Sequence, residues 1–247
     1  MKVALAWLGL LAGCAREPLT EQAGAFYAWD DRQVHCAAEI DDSDDIPMSS
    51  ITDALDRASQ DGTVLELLVH RPGESMTRDK FATLLQAITD RQLPFLTVKD
   101  MLAGPPRAGV ALMFDDAYPD IWLGVEDLLE QNNAHVTLYI TWYSRIDQTA
   151  RDQIRQLADA GHDIEAHSVN HLRGPNYVEA HGLDTYITQE VVPSFTLLRA
   201  DGYDPVSFAY PFGMRTDEID RAVLASGAKT VRALVQPNPA RAATCPF

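Results

Sequence analysis

Short apolar runs alternate with amphipathic segments along most of the chain. The apolar runs predict strands at residues 34–40, 64–69, 95–98, 109–114, 134–141, 163–166 and 206–210. The amphipathic segments predict helices at residues 49–60, 77–92, 121–132, 149–160, 183–201 and 217–226. Because strand and helix alternate, the pattern indicates βαβ units, a parallel sheet and an α/β barrel.

The pattern continues from residue 35 to residue 235 without a linker, a repeat or a low-complexity stretch, and it predicts a single domain there. Residues 14–34 are polar and lack clear periodicity, so we expect a tether. Residues 236–247 contain three prolines and predict a C-terminal surface tail.

The first residues have the pattern of an export signal, because Lys2 is followed by the uncharged stretch 3–13 and then by Cys14. The last four of these residues, 11–14 (LAGC), resemble the bacterial lipobox. We therefore expect residues 1–13 to be a lipoprotein signal peptide and Cys14 to carry the lipid. A plain secretory signal and a buried first helix are the alternatives, and the stretch is shorter than the ~20 residues that span a bilayer. On this prediction the protein is an exported bacterial lipoprotein of the periplasm or cell envelope, anchored to the membrane.

If Cys14 carries lipid, Cys36 and Cys245 are the two cysteines that remain. An oxidising compartment favours a disulfide between them, and two unpaired buried thiols are the alternative.

The net charge of the chain excludes one class of partner. The 247 residues include 20 basic and 36 acidic side chains, for a formal net charge of −16, and the basic residues are scattered singly. We therefore expect no binding to nucleic acid, which needs clustered Lys and Arg.

Ligand-type residues follow two of the predicted strands, at the ends where α/β folds gather their chemistry. Asp115 and Asp116 end the strand at 109–114, and His167 and His171 follow the strand at 163–166. Two imidazoles and one carboxylate leave positions open for water and substrate, as catalytic zinc requires. Taken singly, an Asp pair is commonly a helix cap and an H-x-x-x-H segment is commonly solvated. Their joint position at strand ends favours a metal site.

Three segments resemble motifs of the polysaccharide deacetylase family (the NodB homology domain, carbohydrate esterase family 4). Residues 111–117 (ALMFDDA) resemble its T-F-D-D-G motif. Residues 161–171 (GHDIEAHSVNH) resemble its G-H-E-I-x-x-H-[ST]-x-x-H segment, and residues 208–213 (FAYPFG) resemble its R-x-P-[YF]-G motif. The resemblance implies a distorted (β/α)7 barrel of the NodB type in one domain.

The two remaining motifs of the family lie upstream, in a circularly permuted order. Residues 64–70 (VLELLVH) resemble the closing L-x-L-x-x-H motif, and residues 41–45 (DDSDD) correspond to the D-x-x-D motif. Permutation is tolerated where domain termini lie close together at the surface. A Cys36–Cys245 bond that joins the two ends of the domain fits this interpretation.

The resemblance implies roles for individual residues. Asp115 is expected to be the general base and His70 the general acid. Asp116, His167 and His171 are the expected ligands of a divalent metal. Zn²⁺ is the metal expected first. The turn expected at the oxyanion and the substrate comprises Tyr210, Pro211, Phe212 and Gly213. The carboxylate that orients His70 is left open among Asp41, Asp42, Asp44 and Asp45.

The implied function is metal-dependent removal of acetyl groups from N-acetylated sugars of an envelope or extracellular polysaccharide. O-acetylated sugars are a less favoured substrate. A non-catalytic glycan-binding envelope lipoprotein and a hydrolase of small amides on the same barrel are the alternatives. The five residues of the expected catalytic set count against the glycan-binding alternative, because a binding module has no need of all of them. They are Asp115, Asp116, His167, His171 and His70.

The chain departs from the family pattern at three positions. Ala209 stands where the family has an Arg that pairs with the base, and Arg215, Arg173 or neither supplies that charge. Ala117 replaces the Gly after the Asp pair, so the backbone there must keep a conformation that alanine can adopt. Phe212 replaces a Tyr, which removes one hydroxyl group.

Overall fold

A computed structural model describes residues 18–235 and Cys245. The expected signal peptide at 1–13, the expected lipid site Cys14 and nearly all of the predicted tail at 236–247 lie outside the described residues. Among the described residues, no helix combines the length and the apolar character needed to cross a membrane.

Seven parallel strands close into a barrel, and every one is largely buried. The pairing order is β3-β2-β10-β9-β8-β7-β6, and β6 pairs back with β3. The strands in chain order are β1 (Phe26–Tyr27), β2 (Val34–Glu39), β3 (Val64–Val69), β4 (Pro72–Gly73), β5 (Met76–Thr77), β6 (Gly109–Asp116), β7 (Thr137–Ile140), β8 (Asp163–Ala166), β9 (Ser207–Ala209) and β10 (Thr230–Leu234). Strands β4 and β5 form a separate two-stranded sheet, and β1 pairs antiparallel with the first half of β3.

Helices surround the barrel and bury the outward face of the strands. In chain order they are α1 (Met48–Asp61), α2 (Arg78–Asp90), α3 (Val98–Ala103), α4 (Pro119–Leu123), α5 (Glu126–Gln131), α6 (Gln148–Asp159), α7 (Gly174–His181), α8 (Leu183–Tyr186), α9 (Val192–Ala200) and α10 (Asp217–Ala225). Several begin where the sequence supplies an N-cap. Thr77, Asp147 and Thr216 each accept a backbone N–H of the first turn, and Thr97 forms a capping box with Asp100.

Alternate strand residues point to opposite faces, and this divides the buried residues into two clusters. The larger cluster joins Leu65 and Leu67 to helix residues such as Leu85. The smaller one joins alternate residues of the strands, including Val64, Leu68, Ala111, Met113 and Leu234, and forms the barrel interior. The same alternation continues to the strand ends, so it directs Asp115 and His70 inward at the carboxyl rim.

The segment predicted to be a tether is partly folded. From Leu19 onward the chain forms two short 3₁₀ turns and then β1. Leu19 is 1% exposed. Phe26 and Tyr27 are buried, because β1 pairs with the first residues of β3. The tether boundary at residue 34 is therefore wrong, because a few apolar residues in a polar segment are enough to bind it to the sheet.

Three other elements differ from the sequence prediction. The predicted strand at 95–98 makes a single bridge, between Phe95 and Val110, and α3 begins at Val98. The seventh barrel strand is β10, which has no counterpart among the predicted strands. The predicted helix at 183–201 is divided by a π-helical turn at Ile187–Val191. Pro193 near the start of α9 lacks the N–H that a continuous helix would use there.

A disulfide joins Cys36 on β2 to Cys245, 209 positions away. It fastens the end of the chain to the barrel beside Gly24, where a Cβ would collide with the Cys245 sulfur. The bond lies in a buried environment, since Cys36 is fully buried and Cys245 is nearly so.

Replacing both Cys36 and Cys245 by alanine should lower the free energy of unfolding by about 2–5 kcal/mol, because the bond closes a very long loop. Urea unfolding of the oxidised protein and the double variant measures this difference. Reductant should lower the stability of the parent protein alone. Equal midpoints with and without reductant would contradict the prediction.

Candidate active site

The carboxyl ends of the parallel strands bring the expected site residues to one rim of the barrel. Asp115 and Asp116 end β6, and His167 directly follows β8. His70 directly follows β3, which pairs with β6 along six residues from Val64↔Gly109 to Val69↔Phe114. The closure between β3 and β6 thus places the upstream histidine beside the aspartate pair.

Asp116, His167 and His171 form a three-sided donor set. Their donor atoms all lie within 4.8 Å of one another. Asp116 Oδ1 is 3.1 Å from His171 Nε2 and 3.7 Å from His167 Nε2. That oxygen is buried and has no hydrogen-bond partner among the described residues. Burying a carboxylate oxygen without a partner is costly, so the arrangement fits a cation at this position.

The two histidines are prepared as neutral ligands. His167 Nδ1 donates to the carbonyl oxygen of Ala209 at 2.9 Å, which leaves Nε2 as the ligand atom. Burial lowers the pKa of His167 to about 3 and the pKa of His171 to about 4. Burial, together with the charge of Asp115, raises the pKa of Asp116 to about 6. One carboxylate and two neutral imidazoles are the donor set of many catalytic zinc sites.

Asp115 is held by an arginine that the sequence prediction missed. Nη2 of Arg232 donates to both carboxylate oxygens of Asp115, at 2.5 Å to Oδ1. Both side chains are almost completely buried. Burial alone would raise the pKa of Asp115, but the positive charges of Arg232 and His70 and the hydrogen bond from Arg232 outweigh burial and lower it.

Neither arginine considered from the sequence pairs with Asp115. Arg215 donates to Asp220 at 2.7 Å, and Arg173 stacks 4.0 Å from the ring of Phe212. Arg232 lies on β10 directly opposite Ala209 of β9 in the strand register. The guanidinium group of Arg232 therefore supplies, from the neighbouring strand, the positive charge that position 209 lacks. An arginine in the otherwise apolar segment 231–235 (VRALV) was the available signal.

His70 is oriented by Asp41, one of the four carboxylates left open. Its Nδ1 lies 2.6 Å from Asp41 Oδ2, and its backbone N–H donates to Asp41 Oδ1 at 3.3 Å. Ser75 Oγ donates to the same Oδ1 at 2.5 Å. Trp122 Nε1 donates to the His70 carbonyl oxygen at 2.9 Å, so both residues are fixed from several sides.

A second carboxylate, Glu39, approaches His70, and the sequence analysis did not single it out. Glu39 Oε1 lies 3.5 Å from His70 Nδ1. Burial, reinforced by the nearby charge of Asp44, raises the pKa of Glu39 to about 7. Burial of His70 opposes its charged form, but the hydrogen bond to Asp41 and the charges of Asp115, Asp41 and Glu39 prevail and raise its pKa to about 9.

The expected oxyanion turn forms a 3₁₀ turn at Pro211–Gly213. The Tyr210 N–H donates to the Arg232 carbonyl oxygen, and the Gly213 N–H donates to the Tyr210 carbonyl oxygen. Pro211 has no N–H. The Phe212 N–H has no partner among residues 18–235 and Cys245, and the Phe212 ring is 4.6 Å from the ring of His171. Among the described residues, Phe212 is thus the member of the turn with an unpaired backbone donor beside the donor set of Asp116, His167 and His171.

Backbone conformation explains one departure from the family pattern, Ala117, and also the glycine at position 213. The residue with positive φ is Asp116, the last residue of β6, with φ of 86°, while Ala117 has negative φ. The alanine is therefore tolerated without strain. Gly213 has φ of +65° and its added Cβ would meet Leu234 at 2.7 Å, so glycine is required at that position.

A sequence model described as polysaccharide deacetylase matches residues 103–231, which is more than half of the chain. The chain belongs to the polysaccharide deacetylase family. The match begins downstream of Asp41 and His70, in agreement with the upstream position of these two residues. No curated protein sequence matches the chain significantly.

Several solved deacetylase structures have a similar fold at low sequence identity. PplD of Streptococcus pyogenes, a deacetylase in complex with acetate, aligns with 20% identity and a TM-score of 0.55, over 71% of this chain and 91% of its own. IcaB of Ammonifex degensii aligns with 17% identity and a TM-score of 0.58, over 72% and 88%. The BpsB deacetylase domain of Bordetella bronchiseptica aligns with 14% identity and a TM-score of 0.53, over 85% and 96%. The seven-stranded barrel is therefore the NodB-like fold expected from the sequence.

Replacing Arg232 by alanine should lower the free energy of unfolding by about 3–5 kcal/mol at neutral pH, because Asp115 is left as an unpaired buried charge. The lowered pKa of Asp115 stabilises the parent protein above the unfolded pKa, and this contribution is lost as the pH falls. The deficit of the variant should therefore shrink below pH 4. Denaturant unfolding at pH 7 and pH 3.5 measures both values.

The control is the double variant Arg232→Ala with Ala209→Arg, which returns the guanidinium from the adjacent strand. It should recover part of the lost stability. A deficit that is the same at both pH values would show that the loss is one of packing and not of charge pairing.

Proposed function

We propose that this protein is a metal-dependent deacetylase that removes acetyl groups from N-acetylated sugars of an envelope polysaccharide. The observation that carries the proposal is the meeting of three units at one barrel rim. They are the donor set Asp116, His167 and His171, the Asp115–Arg232 pair, and the His70–Asp41 pair. Family membership supports a hydrolase that acts on the amide bonds of acetylated sugars.

The three donors would hold a divalent metal, most simply Zn²⁺. When bound there, such an ion supplies a positive centre that polarises the amide carbonyl and acidifies water. Both imidazoles are neutral near pH 7, because their pKa values lie at about 3 and 4, so they need to lose no proton before binding. The family's use of a divalent metal and the geometry of this set support the same cofactor.

Asp115 is the base in this proposal. Its Oδ2 lies 3.6 Å from His167 Nε2, beside the donor set, and Arg232 keeps it ionised. Asp115 takes a proton from the attacking water, and the water oxygen forms a bond to the acetyl carbon. The free N–H of Phe212 can then donate to the oxygen that becomes negatively charged.

His70 is the acid. Its pKa of about 9 keeps it protonated at neutral pH, and Asp41 holds the ring through Nδ1. It gives a proton to the sugar nitrogen as the carbon–nitrogen bond breaks, so that acetate and a free amine leave. The base and the acid thus occupy neighbouring strands, β6 and β3.

The lipobox-like residues 11–14 support a location at a membrane surface of the cell envelope, through lipid on Cys14. The disulfide between Cys36 and Cys245 supports an oxidising compartment. Such a location favours a polymeric glycan as substrate. The absent arginine at position 209 and Ala117 would favour the non-catalytic alternative, but both have a physical explanation, in Arg232 and in the φ of Asp116.

Acetate release by the purified protein tests the proposal directly. Metal-depleted protein reloaded with Zn²⁺ should release acetate from N-acetylglucosamine polymers, and a chelator should abolish the release. Asp116→Asn should lose both metal and activity, while Asp115→Asn should keep the metal and lose activity by about 10²–10⁴-fold. Release from small amides alone would favour the small-amide hydrolase, and bound metal without any release would contradict the proposal.

The pH profile tests the acid. Because His70 must carry a proton, kcat/KM should fall as the pH rises through about 9. Asp41→Asn removes the hydrogen-bond acceptor and should move this alkaline limb to lower pH by about one unit. Glu39→Gln is the matched control at the greater distance and should move it less. An unshifted limb in Asp41→Asn would exclude His70 as the titrating acid.

A further inference from the structure

One buried carboxylate beside the site has no role in the proposed chemistry. Glu190 lies in the π-helical turn Ile187–Val191 and is 1% exposed. Its Oε2 accepts the backbone N–H of Asn170 at 2.8 Å, and its Oε1 accepts the side-chain Nδ2 of Asn170 at 2.5 Å. Its own carbonyl oxygen accepts the N–H of Val169 at 3.2 Å. All three bonds hold the short loop between His167 and His171.

This ligand loop, residues 168–171, has a strained backbone. Ser168 has φ of 61° and His171 has φ of 56°, in the left-handed region that side-chain-bearing residues avoid. Such a conformation is costly for a residue with a side chain and persists only where its surroundings enforce it. His171 depends on this conformation to bring its ring to Asp116.

Glu190 holds the loop on one side, and the chain after β7 holds it on the other. Thr141 Oγ1 donates to the Ser168 carbonyl oxygen at 3.2 Å, and the Trp142 N–H donates to the Val169 carbonyl oxygen at 3.2 Å. Arg145 donates to Asn170 Oδ1. Asn170 is therefore bonded through its backbone N–H and through both ends of its side chain.

The π turn explains how a glutamate reaches this position. One additional residue in a helical turn rotates the following face by about 100° relative to a regular helix. Here the irregular turn precedes Pro193, and it buries Glu190 against the loop while Gln189 stays exposed. Helix irregularities of this kind are frequent at functional sites.

We propose that Glu190 is a positioning residue that fixes the ligand loop in its strained conformation and thereby sets the affinity for the metal. The inference rests on the proposed function, because it requires a metal at Asp116, His167 and His171. A loop that is already shaped binds an ion without first being ordered, so the ordering cost is not subtracted from the binding free energy. Residues that orient metal ligands commonly change affinity by about 10–100-fold when altered.

Asn170 donates two hydrogen bonds to Glu190, so exchanging the donor and the acceptor between the two side chains tests the inference. Glu190→Gln leaves one acceptor and turns an NH₂ group toward the NH₂ of Asn170, so one bond is replaced by a contact between two donors. Asn170→Asp places a second carboxylate against Glu190. In the double variant the new amide accepts the backbone N–H and donates to the new carboxylate, which restores two bonds and the same total charge.

Binding of Zn²⁺ and Co²⁺ should be measured by competition with a chelator of known affinity, together with the absorption spectrum of the Co²⁺ form. Each single variant should bind about 10–100-fold more weakly than the parent protein. The double variant should return to within about threefold of the parent, since the two substitutions are coupled. Thermal unfolding without metal establishes that every variant is folded at the temperature of the titration.

Glu66→Gln is the control for the loss of a buried carboxylate. Glu66 is also fully buried, but it bonds His35 in the barrel interior, away from the ligand loop. It should lose stability and keep the metal affinity of the parent. Unchanged metal affinity in Glu190→Gln, or additive losses of affinity in the double variant, would overturn the inference. Metal binding by the parent protein would still support the proposed site in that case. A parent protein that binds neither metal would contradict the proposed function as well.

Discussion

Closure of the barrel between β3 and β6 is the constraint on which the rest of the site depends. These strands are separated by α2 and α3, yet they pair over six residues in parallel register. Because parallel strands end at the same rim, the pairing sets His70 beside Asp115 and Asp116. It also lets Asp41, which follows the next strand β2, reach the ring of His70. A shift of one residue in this register would turn these side chains to the outer face.

The same closure brings many ionisable groups together in a small and largely buried volume. Asp115, Arg232 and His167 are each almost completely buried, and Asp116 and His70 are mostly so. In such surroundings each charge persists only with a partner. Arg232 supplies this for Asp115, and Asp41 and Glu39 supply it for His70. Asp116 Oδ1 has no hydrogen-bond partner among the described residues, and it lies between the ring nitrogens of His171 and His167, which suits a cation at this position.

The strained backbone positions lie at the rim of the barrel, and neighbouring segments hold them in place. Asp116, Ser168, His171 and Phe212 all have positive φ, and all four lie at the rim. Their cost is met by rigid neighbours, namely the π turn with Glu190, the exit from β7, and Gly213 packed against Leu234. The barrel strands thus bring the site residues together, and adjacent, less regular segments hold the connecting loops in place.

The sequence by itself determined the features that are local. Alternating apolar and amphipathic segments gave the α/β class, and the motifs around Asp115, His167 and His70 indicated the family, because ligand spacing within one strand and its following loop is a property of consecutive residues. Only the tertiary structure decided which residues complete the site. Arg232 replaces the charge absent at Ala209 through strand register, Asp41 is chosen over its acidic neighbours by its reach to His70, and Glu190 arrives from a π turn about 20 residues beyond the loop that it holds. Such pairings depend on strand closure and helix irregularity, and neither leaves a periodic signal in the chain.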